Sequence, residues 1–185
     1  FYLMKELKLT LSEQDQLEAI LFSMSKSPQI IKARKNARLL FLLLMLILAV
    51  PFFYYEKFLA ILIILVGLLA FLFFQKYLGI YYKKYGTRYV RSQEFKNRIG
   101  LVHTITFEDD HLEIKSDQME AKYQFNQFEY ITETSSAFFI KLKMADQLFF
   151  PKNQLSDIAE FKVFLQQLCQ RLQIDYREEL NWQWA

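Results

Sequence analysis

Hydrophobic and polar positions along the chain fall into three regimes. Near the start, Leu7, Leu9 and Leu11 alternate with Lys8, Thr10 and Ser12, the two-residue period of a short strand. Leu17, Ile20, Leu21 and Met24 then recur at helical spacing. Thr10 and Ser12 are candidate caps, and Glu13 and Asp15 fall in the first turn. Ser27-Pro28 signals a second helix, expected to pass through Ile30, Ile31 and a basic stretch into a block without polar period. Within that block, Leu39 to Tyr55 and Phe58 to Gln75 carry no charge.

Each uncharged run is about 26 Å long as a helix, roughly a turn short of a hydrocarbon core. The flanks supply the turn: Ala37 on one side, and Tyr77, Leu78, Ile80, Tyr81 and Tyr82 on the other, with Arg38 and Lys76 able to snorkel. A single span would bury Glu56 and Lys57 at its centre, so two antiparallel spans are expected, about 38–55 and 58–78, within a hairpin at 38–82. Soluble core helices rarely run this long without a polar position. The block starts near residue 39 with no small-residue cleavage site after it, which argues against a signal peptide. Pro51 is expected to bend or stop the first span, and Ala49, Gly67 and Ala70 to let the helices approach closely.

From Gly100 the period returns to two. Leu101 to Phe107, Leu112 to Ile114, Tyr123 to Phe125, Phe128 to Thr134, Phe138 to Met144 and Leu148 to Pro151 read as six strands of an antiparallel meander. In the fifth, Ile140 and Leu142 are expected inward. Turns are expected at Asp109-Asp110, Ser116-Asp117, Asn126 and Ala145-Asp146. Ser156 is expected to cap a helix whose Ile158, Phe161, Leu165, Leu168 and Leu172 form one apolar stripe, suited to cover the sheet. After Asp175 no period is visible, although Trp182 and Trp184 can pack or touch headgroups. The expected fold is an α+β membrane protein. A two-helix transmembrane hairpin is joined to a C-terminal antiparallel β domain closed by one helix, on a pleckstrin-homology-like plan. An N-terminal strand and amphipathic helix occupy 1–37, the β domain 100–175 and a tail 176–185. If the N-terminal strand joins as a seventh, the fold is built from both sides of the hairpin. The chain opens on Phe1 and not Met, so it reads as a fragment or a trimmed chain, with Met4 a candidate start.

Composition sharpens this picture. Hydrophobic residues at 53% beside 23% charged residues exclude a plain cytosolic globular domain, because only Glu56 and Lys57 are charged between Leu39 and Phe74. Aromatics at 17% with three Pro and four Gly exclude disorder. The basic residues cluster without acids at 26–38 (Lys26, Lys32, Arg34, Lys35, Arg38) and 76–91 (Lys76, Lys83, Lys84, Arg88, Arg91). By the positive-inside rule both termini are expected in the cytoplasm of a multi-pass cell-membrane protein. Lys32, Arg34, Lys35, Arg38, Lys76, Lys83, Lys84 and Arg88 are then the expected contacts to a bilayer with anionic headgroups. Their place at the span ends argues against nucleic acid. No ionisable group falls in mid-span, which argues against a channel or pump.

The order of elements resembles the YcxB-like family of bacterial membrane proteins. The residues that carry it are Leu7–Pro28 (LKLTLSEQDQLEAILFSMSKSP), the basic stretch with two spans, Ile105–Ser116 (ITFEDDHLEIKS), Phe128–Leu142 (FEYITETSSAFFIKL) and Leu148–Leu155 (LFFPKNQL) before a final helix. The resemblance implies a membrane location and a small cytosolic C-terminal domain, and it implies no activity, functional residue or cofactor.

Little in the sequence suggests catalysis. His103 shares a strand face with Leu101, Ile105 and Phe107; a histidine at the core edge is expected, with a pH-sensitive group as the alternative. Asp109, Asp110 and His111 read as a polar turn, with weak metal binding as the alternative. Cys169 is expected as a small semi-buried thiol; as the lone cysteine it excludes an internal disulfide and a thiolate zinc site. Glycine-rich phosphate loops, HExxH and GxSxG are absent from the sequence. The acidic Asp109-Asp110 turn stands where lipid-binding pleckstrin-homology folds place basic residues, which disfavours phosphoinositide binding. A non-enzymatic tethered protein-interaction or regulatory module is therefore expected, with a protein partner or self-association and no cofactor or metal. An immunity protein against a membrane-acting toxin or bacteriocin is the alternative, and a membrane enzyme is a distant third.

Overall fold

In the computed structural model the described residues are 6–96, 100–144 and 147–184, without the side chains of Glu94 and Lys96. The expected Ala145-Asp146 turn and the candidate start at Met4 lie outside them. The chain divides into two compact units, one of residues 1–19 and 89–183 and the other of 20–88 and 184–185.

The first unit is built on two four-stranded sheets. Strand β1 (Leu7–Thr10) pairs antiparallel with β2 (Val102–Phe107), placing Leu9 opposite His103 and Leu7 opposite Ile105. Strands β3 (His111–Ser116) and β4 (Met119–Gln124) complete this sheet in the order β1-β2-β3-β4. Gly100 leads into β2 at φ +80°, a left-handed conformation that costs a glycine little, while its N–H bonds Leu11 O at 3.3 Å. The outer edge of β1 meets a side chain acting as a strand: Gln154 accepts from Thr10 N at 2.7 Å and donates to Thr10 O at 2.8 Å.

The second sheet has the order β7-β6-β5-β8, from β5 (Phe128–Glu133), β6 (Ala137–Leu142), β7 (Gln147–Pro151) and β8 (Asp175–Glu178). Two expectations are corrected here. The six strands do not make one meander, because a 3-10 turn at Phe125–Gln127 separates β4 from β5 and carries the chain to the second sheet. Phe125, expected in a strand, opens that turn and is buried in the core. The tail is not without structure either: β8 pairs parallel with β5, so the sheet is mixed and extends past residue 175. Only Tyr176 in β8 is partly buried, so the strand has no hydrophobic alternation to read.

The closing helix, here α5 (Ile158–Leu172), buries Phe161, Leu165 and Leu168 as expected, while Ile158 is exposed at 42% and lies outside the stripe. Its cap is Asp157 and not Ser156: the Asp157 carboxylate accepts the Glu160 N–H at 2.8 Å. Gln173 ends it at φ 55°, and its N–H reaches the Cys169 and Gln170 carbonyls. One core joins Leu9, Ile105, Phe107 and Leu112 to Phe128, Phe138, Ile140, Phe150 and the α5 stripe. Phe161 is its hub, with ring centroids 5.4 Å from Phe138 and 5.5 Å from Phe150. In β6 the inward set includes Phe138 beside Ile140 and Leu142; Phe139 is buried on the opposite side, its ring 5.2 Å from Phe149.

Helix α1 (Glu13–Lys26) starts with Ser12 as cap and not Thr10, which belongs to β1. Ser12 Oγ accepts the Asp15 N–H at 3.2 Å and Asp15 Oδ2 accepts the Ser12 N–H at 3.0 Å, a reciprocal capping box. Leu21 is buried as the spacing predicts, and so is Phe22, which the stripe omits.

Helices α2 (Pro28–Tyr55) and α3 (Lys57–Val90, in the second unit through Arg88) are long and apolar enough to cross a membrane, and a four-residue helix α4 (Gln93–Lys96) follows α3 in the chain. They extend about 42 Å and about 51 Å, so both continue past the apolar block. Pro51 does not stop α2, which runs four residues further to Tyr55. Met45 of α2 meets Gly67 of α3: a Cβ at Gly67 would lie 2.9 Å from Met45 Cβ. Ala49 and Ala60 are buried, whereas Ala70, expected in the seam, is only half-buried. Phe41 stacks on Phe74 with centroids 4.8 Å apart. Gly67→Leu is expected to force the helices apart and to lower stability by about 1–3 kcal/mol of overpacking. Thermal unfolding in detergent checks this; an unchanged midpoint would mean that the seam is slack.

Candidate functional site

The basic residues singled out in the sequence lie on two helix segments of the second unit. Lys32, Arg34, Lys35 and Arg38 occupy the first turns of α2, and Lys76, Lys83, Lys84 and Arg88 the last turns of α3. The structure brings only Arg34, Lys35 and Arg38 to one pocket, about 330 Å³, with Ile31, Gln75 and Leu78 completing the wall. Lys32, Lys76, Lys83, Lys84 and Arg88 are exposed outside it. Two arginines are held by ring faces. Arg34 lies over Trp184 at 5.3 Å, and that indole donates to Gly79 O at 2.9 Å. Arg38 lies over Phe71 at 3.9 Å, and its Nε is buried without a hydrogen-bond partner. Three cations around a pocket with no carboxylate in its wall make a seat for an anion. Trp184, which the sequence marks as able to pack or touch headgroups, packs against Arg34, a partner that no period in the tail announces.

A larger pocket, about 560 Å³, opens in the β unit. Its walls come from β1 (Leu9), β2 (His103, Ile105), β3 (Ile114), β4 (Met119, Tyr123) and β7 (Leu148, Phe149). Polar lining is limited to uncharged groups and His103. The expected core-edge histidine is therefore half-buried at a pocket wall. Burial holds its imidazole below the ordinary 6.5, and its Nδ1 is enclosed without a partner.

The other singled-out residues stand apart. His111 Nδ1 and Asp110 Oδ1 are 2.6 Å apart, and this hydrogen bond holds the Asp110 carboxyl below its usual range. Among the described residues no cluster of three His, Cys, Asp or Glu is placed to hold a metal. Cys169 is 3% exposed and so fully buried rather than semi-buried; desolvation lifts its thiol to about 11, far from a nucleophilic thiolate. Sequence reasoning missed the most organised polar group. Glu133, at 4% exposure, accepts from Lys152 Nζ at 2.6 Å, Lys162 Nζ at 2.8 Å and Tyr176 OH at 2.7 Å. The four residues are 43 positions apart at the extremes and on different elements, so no local pattern marks them.

No curated protein and no solved structure matches the chain. A family model described as YcxB-like protein matches residues 107–168, from the end of β2 into α5. That is the family the order of elements resembles, and residues 107–168 of the chain are similar to its model.

Proposed function

We propose that the protein is a non-enzymatic, membrane-tethered binding module: α2 and α3 form a transmembrane hairpin, and the β unit is a cytoplasmic interaction or regulatory domain. One observation carries the reading. Strand β1 precedes the hairpin in sequence and β2 follows it, yet the two are hydrogen-bonded neighbours over Leu7–Thr10 and Val102–Ile105. This pairing supports a hairpin whose two flanks lie on one side of the bilayer. The acid-free basic segments make that side the cytoplasm. Exposed Leu40, Leu43, Ile47, Phe58, Leu65 and Leu72 give the helices an apolar surface that suits lipid. The pocket of Arg34, Lys35 and Arg38 suits an anionic headgroup at the inner interface. Two four-stranded sheets closed by α5 support the pleckstrin-homology-like plan. The chemistry of the polar groups favours binding over turnover: Cys169 is kept protonated, and Glu133 is held by two lysines and a tyrosine.

Alkaline phosphatase fused after residue 185 is expected to stay inactive in a bacterial host, whereas fusion after Glu56 is expected to be active. Activity of the residue-185 fusion would overturn the topology and with it the cytoplasmic module.

A further inference from the structure

The pocket shared by the two long helices selects its occupant by charge. Ile31, Arg34, Lys35 and Arg38 follow one another at the spacing of a single helix face, so α2 brings three cations to one wall. Gln75 and Leu78 of α3 complete the wall around about 330 Å³. Lys35 is exposed, and Arg34 and Arg38 are half-buried. With no carboxylate in the wall, an anion is attracted there and a further cation is repelled. Ile31 and Leu78 add an apolar side that a bare inorganic ion cannot use. The place along the helices points the same way. Arg38 directly precedes the uncharged run 39–55 and Gln75 closes the run 58–75, so the pocket stands at one end of both. Leu39, Leu40 and Leu72, close to these positions in the chain, are exposed apolar side chains that acyl chains would cover.

We propose that this pocket retains one anionic phospholipid, its phosphate held among Arg34, Lys35 and Arg38 and its acyl chains laid along the exposed leucines. Guanidinium forks match phosphate oxygens, and the lysine adds a point charge. A zwitterionic headgroup brings its own ammonium to the same three cations, so a headgroup of net negative charge is preferred. Because the wall comes from both helices, one bound lipid clamps α2 to α3. The proposal deepens the membrane reading and rests on the helices crossing a bilayer, but it names a retained ligand where that reading needs only a basic surface.

The test uses the full chain in a neutral detergent with equimolar phosphatidylglycerol and phosphatidylcholine, read by native mass spectrometry. One phosphatidylglycerol is expected to stay bound, preferred by about tenfold or more, as two or three cations beside an anionic headgroup supply. Further lipids should add without preference. Lys35→Gln with Arg38→Gln is expected to abolish the preference. Lys83→Gln with Lys84→Gln, the same loss of charge at exposed positions outside the pocket, should leave it intact. Lys35→Gln alone, at an exposed position where folding is not at stake, should weaken it several-fold. Equal loss in both double variants would mean a diffuse basic surface and would overturn the proposal, as would a parent protein without preference. Displacement of the lipid by excess inorganic phosphate would overturn the lipid assignment in favour of a free anion. An exported residue-185 fusion with intact lipid preference would sink the topology alone, and a topology that holds without preference would sink this proposal alone.

Discussion

Leu165→Asp is expected to unfold the β unit. Leu165 is 0% exposed at the centre of the α5 stripe, within the cluster that also holds Phe107, Phe138, Phe150 and Phe161. The substitution removes apolar area and places a carboxylate among apolar side chains. Burial of an unpaired charge costs several kcal/mol, against a total of about 5–15 kcal/mol for a domain of this size. Phe161→Ala, a pure cavity at the hub, should cost about 3–5 kcal/mol and leave a folded but weakened unit. Near-ultraviolet circular dichroism of the full chain reads both. A Leu165→Asp protein that keeps the wild-type signal and melting midpoint would show that α5 does not pack on the sheets as described.

Glu133→Gln is expected to be the most damaging polar substitution. It leaves Lys152, whose side chain is 13% exposed, and Lys162 without the carboxylate they share, and breaking a buried pair costs about 3–5 kcal/mol. At roughly 4 °C per kcal/mol for a unit of this size, the melting midpoint should fall by about 12–20 °C. Glu133→Leu combined with Lys152→Met should recover much of the loss, because Lys162 keeps Glu178 at 2.8 Å and no lone charge stays buried. A single variant as stable as the parent would mean that water reaches the site. The same cluster sets an acid limit. Burial pushes the Glu133 carboxyl up, but the hydrogen bonds from Lys152, Lys162 and Tyr176 outweigh it and hold the pKa below the ordinary 4.5. A group depressed in the folded state favours folding fully above its unfolded value, and that contribution fades as pH falls through the folded value. Stability should therefore be flat in this component above about pH 5 and decline below pH 4.5, and the decline should vanish in Glu133→Gln.

Much of the fold is written locally and could be read from the chain. The uncharged runs at 39–55 and 58–75 announce two long apolar helices, and the alternation after residue 101 announces most strands of the β unit, because each pattern needs only neighbours within a few residues. The Ser12 and Asp15 capping box and the Phe161, Leu165, Leu168 stripe are legible for the same reason. The basic flanks are visible too, as is His103 at the edge of an apolar strand face.

What the sequence could not decide depends on distant partners. The splitting of the strands into two sheets happens at the 3-10 turn Phe125–Gln127; the sequence marks a turn at Asn126, but not that the chain changes sheets there, because which edge a strand joins depends on distant partners. Strand β8 exists because its backbone finds the free edge of β5, and a parallel edge strand needs no side-chain period of its own. Glu133 reads as an ordinary exposed strand residue until Lys152, Lys162 and Tyr176 arrive from three other elements. The sequence determined the materials, two long apolar helices and a β-rich unit with one closing helix. Only tertiary structure decided that β1, which precedes the two long helices in sequence, pairs with β2, which follows them, since a hydrogen-bond ladder is set by which backbone edges meet and not by the residues between them.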